Sequence, residues 1–148
     1  MPSEFVKDLV QHKKWVAEYM QMVANDLFRR AAVHDNSKFD PEEFDIYEKA
    51  FPDLQKYAYG SPELKAVYEQ MKPALHHHFQ ANYHHPEHYE NGIDGMSLLD
   101  VIEMVCDWMA ASKRSQTGID KGLDINKERY GISDQLFEII ANTVSDLK

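Results

Sequence analysis

The chain has 148 residues, with 25 carboxylates against 16 Lys and Arg and a formal net charge of −9. This length suits one domain with one core, and a 43% apolar composition with eight Tyr, seven Phe and two Trp excludes a disordered chain. The acidic balance excludes a broad nucleic-acid-binding face, no apolar run approaches the ~18–20 residues that span a bilayer, and a single cysteine, Cys106, excludes an intramolecular disulfide.

The N-terminal Met1-Pro2-Ser3-Glu4-Phe5 carries no basic region before an apolar stretch, so no secretory signal is expected. With its lone cysteine, the chain reads as a cytoplasmic protein with no membrane partner. Phe5, Leu9, Val16, Met20, Val23 and Leu27 form an amphipathic helical stripe, and His12 falls inside it. Asn25-Asp26 is expected to break or bend this helix, leaving a short one over residues 27–33 that delivers His34-Asp35. Asp40-Pro41-Glu42-Glu43 predicts a helix start, with Asp as N-cap, Pro at the first helical position and acids in the first turn. Ser61-Pro62-Glu63 repeats the signature, and its helix is predicted to reach about Phe79, kinked or split by Pro73. Residues 81–96 read as an ordered loop rich in ligand-type side chains. Ser97-Leu98-Leu99-Asp100 opens a helix as a capping-box variant, apolar over most of its circumference and running to about Ser112. Gly118 and Gly122 are expected to break the next stretch. Ser133 caps a last amphipathic helix carrying Leu136, Phe137, Ile140, Val144 and Leu147. Strand-like alternation is absent, so the prediction is one all-α domain of five to seven helices over residues 1–148.

The histidines carry the chemistry. There are eight, six of them between His76 and His88. Consecutive helical residues diverge by about 100°, so only one or two of His76-His77-His78 can face one site. The loop through His84-His85-Pro86-Glu87-His88 can bring further imidazoles near them. An adjacent His34-Asp35 at a helix end can direct an imidazole and a carboxylate at one ion. Asp100, Glu103 and Asp107 share one helix face by their spacing of three and four. Acids on a buried stripe are costly unless a cation or metal balances them. Imidazole with carboxylate suits Fe, Mn, Co, Ni or Zn rather than Ca, and the lack of cysteine pairs removes the usual structural zinc site. One or two divalent transition-metal ions are therefore expected.

The order His12, His34-Asp35, His78 with His84 or His85, then Asp107 resembles the HD-domain metal-dependent phosphohydrolase superfamily. Ala31-Ala32-Val33-His34-Asp35-Asn36-Ser37-Lys38 looks like that family's small-apolar run, His-Asp, two residues, Lys, with Ser37 where the familiar form has Gly. The resemblance implies an HD-like helical bundle with His12, His34, Asp35 and Asp107 as ligands of one ion. It implies His78 and His84 or His85 as ligands of a second. The whole chain is similar to a family of short uncharacterised phage and bacterial HD-like proteins, over about residues 5–115. That likeness lies in His34-Asp35-Asn36-Ser37-Lys38-Phe39, Pro41-Glu42-Glu43-Phe44, His84-His85-Pro86-Glu87-His88 and Glu103-Met104-Val105-Cys106-Asp107-Trp108-Met109-Ala110.

The activity implied is hydrolysis of a nucleotide or another small phosphate ester. Lys38 would contact phosphate or hold the loop after Asp35, and Glu103 would orient a ligand imidazole or accept a proton. Lys113 and Arg114 would meet phosphate or simply complement a helix C-terminus. Two alternatives stay open: an HD-type di-iron oxygenase, favoured by the histidine surplus, and a non-catalytic metal-containing binding protein. A homodimer also stays open, because small helical domains with exposed Met and Tyr often pair.

Overall fold

Helix-start chemistry sets most of the element boundaries. The computed structural model describes residues 1–115 and 117–147 and divides the chain into two compact units, Met1–His34 and the residues from Asp35 onward, where the sequence predicts one domain. The first unit is a single helix, α1 (Glu4–Val33), capped by Ser3, whose side chain accepts from the Val6 N–H. Asn25-Asp26 does not break it. Asn25 takes a hydrogen bond from Gln21 one turn back, and Asp26 pairs with Arg29 and Arg30 one turn on. These local partners satisfy the two residues inside the helix rather than at a cap. None of the helix's residues is buried.

Among the described residues, the second unit holds six α-helices. Asp40-Pro41 forms a turn instead of the predicted helix start: the N–H groups of Glu43 and Phe44 both donate to the Asp40 carbonyl, and α2 (Phe44–Lys56) begins only at Phe44. Ser61 caps α3 (Pro62–Gln70). Pro73 lies in the first turn of α4 (Lys72–Ala81), where its missing N–H costs nothing, so the predicted long helix is split at Met71. The loop that follows contains two 3₁₀ turns, Pro86–His88 and Gly92–Gly95. The predicted capping box is present at α5 (Leu98–Ser112): Ser97 and Asp100 each accept the other's backbone N–H. Gly122 does not break the next stretch but lies inside α6 (Ile119–Tyr130), at a cost of only ~1 kcal/mol for a lone helical glycine. Gly131, at φ 62°, ends that helix in the left-handed conformation glycine favours. Ser133 caps α7 (Asp134–Asp146) as predicted.

The core joins α5, α6 and α7 through Val101, Met104, Val105, Leu123, Ile132, Ile140 and Val144. It anchors α5, and so fixes where Glu103 and Asp107 project. Among the described residues there is no strand, and no helix is long and apolar enough to cross a membrane. The fold class is all-α, with seven α-helices among the described residues, one in the first unit and six in the second.

Candidate metal centre

Asp35 is the one non-glycine residue with positive φ among the described residues, at 58°. Asp enters this region more readily than most side chains, and outliers of this kind cluster at functional sites. The 3₁₀ turn Asn36–Phe39 follows, and Lys38 closes back on Asp35 twice. Its N–H donates to the Asp35 carbonyl at 2.9 Å, and its ammonium pairs with Oδ2 at 2.5 Å.

Oδ1, the other carboxylate oxygen, faces imidazoles. His78 Nε2 is 3.3 Å from it and His84 Nε2 is 3.4 Å from it. His78 comes from the last turn of α4, and both rings are only 2% exposed. His85 adds its Nε2 at 2.9 Å from His78 Nε2, so three rings converge on one carboxylate. Asp35, His78, His84 and His85 each offer one ligand atom, all within 4.8 Å of one another. Asp107, on α5, has an oxygen within the same 4.8 Å limit of a His84 ring nitrogen.

A carboxylate stands behind each of the two buried rings. His78 Nδ1 is 2.9 Å from Glu43 Oε2, and His84 Nδ1 is 3.3 Å from Glu103 Oε1. Glu103 therefore holds the place behind an imidazole that its spacing on α5 suggests. Glu43 is not a residue the sequence points to: its acidic motif reads as a helix first turn, whereas its partners lie 34 and 35 residues further along the chain. No local pattern encodes that contact.

The remaining histidines do other things. His77 bonds Glu43 Oε1 at 2.7 Å, His88 donates from Nδ1 to the Phe79 carbonyl at 3.0 Å, and His76 is exposed. His12 is exposed on α1. An unbroken helix rises 1.5 Å per residue, so His12 is about 33 Å from His34. The implied sharing of one ion by His12 and His34 within one chain is thus ruled out by the continuity of α1. His34 is the C-cap residue of α1, joined to Asp35 by the peptide bond. Asp100 is buried but occupied in the capping box and by the Tyr89 hydroxyl at 2.9 Å.

The electrostatics follow from burial and crowding. Burial opposes the charge on Asp35, yet the His78 and His84 rings beside it and the Lys38 ammonium hold its carboxyl well below the usual range. Burial, together with the nearby His84 and His78, pushes His85 down to about 3, so it is a neutral ring with a lone pair at neutral pH.

The cluster borders a cavity of about 720 Å³ in the second unit. His78, His85, Asp107 and Lys38 line it together with Trp108, Tyr130, Tyr59, Asn126, Arg114 and Arg129. Trp108 and Tyr130 stack with planes 7° apart. The Tyr59 hydroxyl donates to the buried Asn126 amide oxygen at 2.6 Å, and Arg129 pairs with Glu87 at 2.7 Å. Arg114 faces this space, while Lys113 borders a separate, smaller pocket.

No curated protein and no solved structure matches the chain. A family model does match, over residues 1–146 and so nearly end to end: the chain belongs to DUF5662, a family of unknown function.

Proposed function

We propose that the chain is a metal-dependent phosphohydrolase. A divalent transition-metal ion is held by Asp35, His78, His84 and His85, with Asp107 at its edge. The observation that carries this reading is the meeting of four ligand atoms within 4.8 Å beside a cavity. The donors fit such an ion: first-row metals take imidazole nitrogen at ~2.0–2.1 Å, so neighbouring donors at a right angle sit about 3 Å apart. The 2.9 Å between His78 Nε2 and His85 Nε2 matches that spacing. Bound there, the ion would supply a Lewis acid for a phosphoryl oxygen and an activated water.

The chain's own groups do the rest. Lys38 fixes Asp35 and lines the cavity, where its ammonium can also meet a phosphate oxygen. Arg114 and Arg129 add cationic lining. The stacked Trp108 and Tyr130 offer apolar planes for the organic part of the substrate, and the Asn126 amide offers a polar edge. Cationic and aromatic groups around one metal cluster suit a nucleotide or another small phosphate ester. The resemblance of His34-Asp35 and its surroundings to HD-domain enzymes favours the same reaction.

The test is metal analysis of protein purified without chelator, followed by phosphate release from nucleoside mono- and triphosphates with Mn, Co and Fe. We expect about one ion per chain and metal-dependent release that Asp35→Ala abolishes. Bound metal with no turnover across the panel would instead indicate a binding protein. Two irons per chain with an oxo-bridge absorption would indicate a di-iron oxygenase.

A further inference from the structure

We infer that Glu43 is a positioning residue that fixes His78 as its Nδ1–H tautomer and so turns the Nε2 lone pair toward Asp35 and His85. This inference rests on the reading of His78 as a metal donor. Glu43 is fully buried, and each of its oxygens meets a ring nitrogen: Oε1 meets His77 Nδ1 at 2.7 Å and Oε2 meets His78 Nδ1 at 2.9 Å. A carboxylate only accepts hydrogen bonds, so both nitrogens donate.

Asn82 leads to the same assignment by another route. Its side-chain nitrogen has two hydrogens. One goes to the His78 carbonyl at 2.8 Å and the other to Ser37 Oγ at 2.8 Å. None is left for His78 Nδ1, although that atom is only 3.2 Å away. Ser37 Oγ, 3.1 Å from the same Nδ1, is a second acceptor for the ring proton. The proton therefore sits on Nδ1.

The consequence appears at the far side of the ring. A neutral imidazole with Nδ1–H has its lone pair on Nε2. That lone pair faces Asp35 Oδ1 at 3.3 Å and His85 Nε2 at 2.9 Å. That lone pair accepts from a neutral His85 in the metal-free cluster and is the atom that would bind an ion, with the carboxylate behind the ring holding it in place. With the opposite tautomer, Nε2–H would point at Asp35, and His78 would have no lone pair there for an ion. Glu43 thus decides which of two chemistries the same side chains have.

The test is nitrogen-15 NMR of the histidine rings in the full chain after metal removal, where protonated and unprotonated ring nitrogens have distinct shifts. We expect His78 to show Nδ1–H in the wild type. Glu43→Gln places an amide against this nitrogen and is expected to move His78 toward Nε2–H. It should also weaken Co(II) binding 10–100-fold, with little change in the melting curve. His77→Ala, which removes the other partner of Glu43, should leave the His78 tautomer as it is. Nε2–H in the wild type, or an unchanged tautomer in Glu43→Gln, overturns the proposal. If Glu43→Gln does not fold, the wild-type spectrum decides alone. A wild-type chain that shows Nδ1–H yet binds no transition metal overturns the metal reading and still supports the role of Glu43 in setting the tautomer.

Discussion

Met104 and His78 are almost equally buried, at 1% and 2% exposure, in the same unit of the chain. Met104 sits among Val101, Val105, Leu123, Ile140 and Val144, where removing an apolar side chain from water contributes ~1.5–3 kcal/mol to folding. His78 sits against Glu43, Asp35 and His85. Its burial costs desolvation that hydrogen bonds only offset. An apolar residue of similar volume would serve folding as well or better there. The α5–α7 core is thus explained by folding, and the imidazole cluster calls for a further reason, which a bound ion supplies.

The sharpest way to break this comparison is to remove one residue from each region. Asp35→Ala takes away the oxygen that His78 and His84 both face, and we expect metal retention to vanish in elemental analysis while the circular dichroism spectrum stays helical. Met104→Ala leaves a cavity in the core and should lower the unfolding free energy by ~2–5 kcal/mol, with metal affinity unchanged. If Met104→Ala strips the metal, or Asp35→Ala keeps it, the two regions are not separable. A smaller effect is expected one step out from the ion. Glu103→Gln keeps size but weakens the acceptor 3.3 Å behind His84, and metal affinity should fall 10–100-fold by competition titration. An unchanged affinity would mean that Glu103 plays no part in orienting the ring.

Acid should act on the imidazole cluster even without metal. His85 is pushed down to about 3 in the folded chain by burial and by its histidine neighbours, whereas an unfolded histidine takes its proton near 6.5. Between those values the unfolded chain binds more protons. Stability from this group is therefore fully present above about 6.5 and is lost as the pH falls toward 3. Denaturation midpoints of chelator-treated protein should drop across that window, and His85→Gln should flatten the slope. Parallel slopes in the two proteins would remove His85 as the cause.

The parts of the molecule that were legible in the sequence are the ones written locally. The caps at Ser61, Ser97 and Ser133 and the split at Pro73 depend on neighbours within four residues, and they stand where the sequence puts them. Asp35, His78, His84 and His85 were legible as candidates because ligand-type side chains crowd the sequence there. Choosing among six clustered imidazoles needed the packing of α4 against its following loop. That packing turns His76 to solvent and ties His88 to the Phe79 carbonyl. Glu43 is invisible in the sequence because its partners lie on α4, beyond two intervening helices. Ser37 was visible only as a departure from a motif, and the hydroxyl that makes the departure meets the His78 ring.

The smallest expected effect concerns the histidine that only the family resemblance makes a ligand. His12 lies on the apolar stripe of α1, and the family resemblance assigns it to the same ion as His34. Two imidazoles on one ion have their nitrogens within about 4 Å, since each bond is ~2.0–2.1 Å. The single helix Glu4–Val33 holds His12 about 33 Å from His34, and nothing interrupts its rise. His12→Ala should therefore leave the number of ions per chain and their affinity at wild-type values. Alanine is also the best helix former, so α1 itself should be no less helical by circular dichroism. A fall in metal content with helicity unchanged would show that His12 binds the ion after all, and the four-residue donor set on Asp35, His78, His84 and His85 would have to be redrawn.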